Sequence, residues 1–154
     1  MSHALLLAPL DDDGTVPAPA PADLPSTPST QRDWLTEQVG GWAVAAHYHP
    51  HIDFHANDAA YALHLPFNPI AWALASVWRR CLIDYPLLGP IVVTGPVNEP
   101  ALLHPPLAPS RLKEVQTVAA AVRTAWNAAP QPADRLRLPL PELLAIARDA
   151  AHQE

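Results

Sequence analysis

The residue types best suited to chemistry crowd into one short stretch, His47-Tyr48-His49-Pro50-His51-Ile52-Asp53-Phe54-His55. On a single continuous strand, His47, His49, His51, Asp53 and His55 would share one face, because side chains two residues apart point the same way at about 7 Å intervals. Neutral imidazoles at that spacing, completed by a carboxylate, form a ligand set for zinc or another transition metal, either structural or with an open position for water. The same residues are also what the solvated face of an antiparallel strand carries, and Pro50 is placed to kink the run or divide it into two short strands.

Other chemistries find less support. Metal-dependent single-strand nucleases pair a His-x-His core, as in His47-Tyr48-His49, with a helical tyrosine nucleophile and a basic groove. Here Tyr85 precedes Pro86, Tyr61 lies in a strand-like segment, and the net charge is -6. Gly14, Gly40, Gly41, Gly89 and Gly95 form no spaced phosphate-binding set. Ser76 and Ser110 lack nucleophile-elbow surroundings, and Cys81 sits in an apolar helical pattern that predicts a buried structural thiol. Asp53 and Asp58 read as turn or strand residues before paired acids. The tryptophans are dispersed along the chain, a core pattern more than a platform for stacking bases. No residue is assigned a catalytic role.

The elements that must position the histidines follow from periodicity and punctuation. Ala4 to Ala8, the turn cluster Asp11 to Gly14 and then Thr15-Val16 predict an opening hairpin. Residues 17–28 are rich in proline and read as a polyproline-like linker or edge segment. Thr30 is placed to cap a helix ending at Gly40-Gly41. The histidine stretch, an Asn57-Asp58 turn and an alternating Tyr61 to Leu65 then suggest a meander. Asn68-Pro69 is a strong helix start, and the stripe Ile70, Leu74, Val77, Trp78, Cys81 and Tyr85 marks a helix lying across a sheet. Gly89 to Pro96 reads as a short buried strand. Ser110 is placed to cap a long amphipathic helix, and a last helix starts near Pro141.

A chain of 154 residues suits one core with appendages. With 49% hydrophobic and 16% charged residues it is too apolar to be disordered throughout. A single cysteine forbids an intramolecular disulfide and suits a reducing compartment. The acidic balance disfavours nucleic acid as a partner, since binding it rests on a dense basic face. The opening Met1 to Leu7 has no basic region ahead of its apolar run, which suggests a cytoplasmic protein. Ala59 to Trp78, the most membrane-like stretch, is interrupted by His64, Pro66, Asn68 and Pro69, so no membrane partner is expected. Eight arginines against Lys113 alone, with abundant alanine and proline, carry the codon signature of a GC-rich genome.

Several ordered strings carry a resemblance: Ala4-Leu5-Leu6-Leu7 with Asp13-Gly14-Thr15-Val16, Val39-Gly40-Gly41, Ile52-Asp53-Phe54, Asn57-Asp58, Leu65-Pro66-Phe67-Asn68-Pro69-Ile70-Ala71 and Gly89 to Gly95. The chain resembles a phage- and mobile-element-associated family of small α+β domains of unknown function, found in GC-rich bacteria and their phages, over roughly residues 4 to 100. The resemblance implies the hairpin, helix, meander, Asn-Pro helix and closing strand, and it implies no chemistry for any residue. Neither the histidines at 47, 49, 51 and 55 nor the two C-terminal helices belong to the family pattern. The expectation is an α+β fold, a small mainly antiparallel sheet with a central amphipathic helix, in a domain over residues 1–100 with a helical extension over 101–154. Its expected role is a non-enzymatic binding or regulatory accessory acting by protein-protein contact, with the C-terminal helices serving the partner or a second copy. The alternative is a metal-binding protein or metal-dependent enzyme built on the histidine strand.

Overall fold

Asn68 and Pro69 begin the helix around which the molecule is organised. In the computed structural model, which describes residues 3–129 and 139–152, the elements run β1 (His3–Leu7), β2 (Ala20–Asp23), α1 (Pro28–Val39), β3 (Ala43–His49), β4 (Ile52–Asn57), α2 (Pro69–Arg79), β5 (Ile91–Thr94), α3 (Pro109–Ala128) and α4 (Leu140–Ala151). The five strands form one antiparallel sheet in the order β2-β1-β5-β4-β3. The fold is α+β, as expected.

The Asn68 side chain accepts from the Ala71 amide, capping α2, and donates to the carbonyls of Leu7 and Gly89, so the cap also ties the helix to the sheet. Every residue from Pro69 to Ser76 is buried, as the apolar breadth of this segment requires. Trp72, outside the expected stripe, is with Trp126 the largest of the fully buried side chains among the described residues, and its indole N–H donates to the Ile83 carbonyl. The helix ends earlier than the stripe suggested, with Arg80 in the left-handed conformation (φ 56°), and this turn takes Cys81 out to the surface instead of into the core.

Alternation along the strands gives the sheet two faces, both covered. Leu5, Leu7, Ile52, Phe54, Ile91 and Val93 face α2, α3 and α4, whereas Ala4 and Val92 face Leu35 and Val39 of α1. The boundary expected near residue 100 has no counterpart in this packing. Val115, Val118, Val122 and Trp126 of α3 and Leu143, Leu144 and Ala147 of α4 are buried in the same core as β1, β4, β5 and α2. The apolar stripes that the sequence offers to a partner or a second copy are therefore used inside the fold.

Three local expectations resolve differently. Thr15-Val16 does not pair with β1: Asn127 and Arg123 of α3 bind the backbone of Val16, and the Trp126 indole donates to the Gly14 carbonyl. The partner of β1 is β2, inside the proline-rich segment, with Leu5 opposite Pro21. Proline is tolerated there because β2 is an edge strand and needs no donor on its outer side. Tyr61 to Leu65 forms turns rather than a strand, started by Asn57 accepting from the Ala59 amide and closed through the Leu63 and Leu65 amides.

A histidine and aspartate cluster under the first helix

The histidine stretch is a hairpin. Pro50 and His51 form the turn between β3 and β4, with His49 opposite Ile52 and Ala46 opposite Phe54. His47 and Tyr48 therefore face Asp53 together, which is a β-bulge, and a one-residue slip moves every later side chain to the other face. His47 remains on the α1 side with Asp53 and His55. His49 is carried to the opposite side, where its ring lies 5.2 Å from that of Trp78. Burial lowers its pKa, and the charge of Arg111 adds to the effect. His51 is in the turn, its amide donating to His49 Nδ1. The five-residue face expected from one continuous strand is thus corrected to His47, Asp53 and His55, brought together across two strands.

A residue from a distant loop completes the group. The Asp53 carboxylate, 1% exposed, accepts from Nδ1 of His47 at 2.6 Å and from the Val97 amide at 3.2 Å, and lies 3.2 Å from Nδ1 of His104. A buried carboxylate requires such donors. His104 is held by Gln31 of α1, which is itself buried: Gln31 Oε1 accepts from the His104 amide, and Nε2 donates to the carbonyls of His104 and Pro25. Gly95 makes this approach feasible. A Cβ there would stand 2.8 Å from Pro105 Cγ and 3.0 Å from the Pro105 carbonyl oxygen.

The protons can be assigned from the partners. Nδ1 of His104 faces only acceptors, Asp53 and the Gly95 carbonyl, so it carries hydrogen, and Nδ1 of His47 carries hydrogen toward Asp53 for the same reason. His55 is 2% exposed, with Nε2 2.8 Å from the Thr94 hydroxyl. That hydroxyl has one proton and directs it to the Gly95 carbonyl, so both contacts are met when His55 Nε2 donates. The His55 ring lies edge-on to His104 at 4.3 Å. Burial first, then the neighbouring His104 and His47, lowers its pKa to about 3, and the ring is neutral near pH 7.

Beside the cluster, a cleft of about 600 Å³ opens between α1 and β3, with His55, His104, Ala43, Ala45, Trp42 and Leu102 among its lining residues. Gln31, Thr94 and His104 escaped the sequence reading: His104 stands in a proline-rich loop with no motif around it. Among the described residues, no three histidine, cysteine, aspartate or glutamate side chains are arranged to hold a metal ion. No described helix is long and apolar enough to cross a membrane. Fold and cluster together define a small α+β protein with a doubly covered sheet and a buried polar group beside an open cleft. Comparison with protein families, curated proteins and solved structures returns no match.

Proposed function

We propose that this protein is a non-enzymatic binding or regulatory accessory of the phage or mobile-element type, acting in the cytoplasm through protein-protein contact along strand β3. The contrast between the two sheet edges carries this reading. The β2 edge contains Pro21 and ends at Asp23, devices that discourage pairing. The β3 edge, Ala-Val-Ala-Ala-His-Tyr-His, has neither proline nor a permanently charged residue, and it is flanked by Trp42, 71% exposed. Arg79 covers only its far end, donating to the His47 carbonyl. An exposed edge of this composition suits an added partner strand, whose main chain supplies affinity while side-chain contacts supply choice.

Peptides selected from a random displayed library test the reading. Bound peptides should protect β3 amides from hydrogen exchange, and Val44→Lys, a charge on the edge, should weaken them at least about tenfold while changing stability by no more than about 0.5 kcal/mol. Peptides that protect another region, or bind the variant equally, would overturn it.

Metal binding is the second reading: His47 and His104 both lie against Asp53, a grouping that would have to close further around an ion, since no three such side chains among the described residues are arranged to hold one. Stoichiometric zinc after chelator-free purification, lost in a His47→Gln, His104→Gln double variant, would establish it. Negligible metal would remove it.

A further inference from the structure

We propose that the cleft between α1 and β3 binds a small, uncharged, planar heteroaromatic molecule, which lies against Trp42 and donates a ring N–H to Nδ1 of His55. This goes beyond the strand-pairing reading, since the edge of β3 can pair whether the cleft is filled or empty.

The cleft has a definite origin. Helix α1 closes onto β1 and β5 through Leu35 and Val39, which meet Ala4 and Val92. Over β3 the inward positions are Ala43, which packs at the edge of the Leu35 and Val39 cluster, and Ala45, which stays exposed, so their small side chains leave the space beyond them open. The gap of about 600 Å³ falls in the range of small-molecule sites.

His55 supplies the second observation. With Nε2 donating to Thr94, its Nδ1 holds a lone pair that has no partner among the described residues. A buried acceptor left unmatched is costly and uncommon, so a donor entering the cleft would satisfy a group that the fold leaves open. The rest of the lining selects the kind of donor. Trp42 and Leu102, 71% and 70% exposed, offer large apolar surfaces at the rim, and the alanines offer a flat apolar floor. Arg32 and Asp33, adjacent in sequence and both lining the cleft, oppose each other in charge and favour no ion. A flat, largely apolar ring with one N–H matches these groups, and an indole face also accepts offset stacking.

Indole and 1-methylindole, titrated into the intact protein in buffer containing EDTA and followed by amide chemical shifts, test the proposal. Indole should bind saturably with shifts centred on Ala45, His55 and His104. Methylation of the ring nitrogen should weaken binding about tenfold, the size of one lost hydrogen bond. His55→Phe should erase that difference between the two probes. Ala45→Leu, at an exposed floor position whose enlargement leaves the core untouched, should abolish binding of both and decides the matter even if His55→Phe fails to fold. Val44→Lys should leave indole binding unchanged, which separates this site from peptide pairing at the edge. Absence of saturable binding, equal affinity for the two probes, or undiminished binding to Ala45→Leu would each overturn the proposal.

Discussion

Along β4 successive side chains enter two different environments. Ile52 and Phe54 join the apolar core under α2, α3 and α4, while Asp53 and His55, buried to the same degree, join a polar cluster under α1. On the first side, burial is non-directional, and many residues of roughly the right volume would serve. On the second, each buried polar atom depends on a particular partner, so Asp53 needs His47, His104 and the Val97 amide, and His104 needs Gln31. The apolar side should therefore fail in proportion to volume removed, and the polar side in proportion to partners lost or protons gained.

The harshest test of the apolar side is truncation after Pro109. Since α3 and α4 complete the core, the remnant should lose cooperative thermal melting and expose apolar surface to a hydrophobic dye. A sharply melting, monomeric remnant would restore a domain boundary near residue 100. Next in size, Leu74→Ala should cost about 2 to 5 kcal/mol in urea unfolding, because Leu74 is fully buried between the sheet and the other helices. A cost below about 1 kcal/mol would show that this face tolerates cavities and that the contrast is overdrawn.

On the polar side, acidification is the sharper probe. The unfolded chain protonates His55 below its ordinary value near 6.5, while the folded chain holds it neutral down to about 3. The unfolded state thus binds the extra proton across this window, and stability falls as pH falls, by up to about 1.4 kcal/mol per pH unit from this residue. His55→Phe should flatten that part of the stability profile, and an unchanged slope would remove His55 as its source. The smallest effect is expected where the histidines lie outside the cluster: His49→Gln with His51→Gln should shift stability by only about 0.5 kcal/mol. A much larger loss would mean that the ring of His49 beside Trp78 belongs to the core.

Legibility in the sequence followed the range of the interactions. Asn68-Pro69 and the apolar run after it are local signals, and α2 begins and buries as they require. Ile91 to Thr94, bounded by glycines and prolines, is likewise a fully buried strand. Residues 17–28 read as a linker or an edge segment, and β2 takes the edge position: proline lowers intrinsic strand propensity, yet an edge next to β1 asks little of the missing donors. Helix α3 begins a residue or two before the start that a Ser110 cap predicts, since Pro109 occupies the first turn and Ala108 the cap.

By itself, the sequence determined the antiparallel α+β character, the central helix and its cap, and the presence of histidines and a carboxylate near one another, because these depend on periodicity and neighbouring residues. Which of them meet was decided by the tertiary structure. The bulge in β3 carries His49 away from His47, the hairpin turns Asp53 back to face His47, and the loop packed on Gly95 delivers His104 from far along the chain. Register, faces and loop approach are set by how strands and helices pack on each other, and no spacing within one segment encodes them.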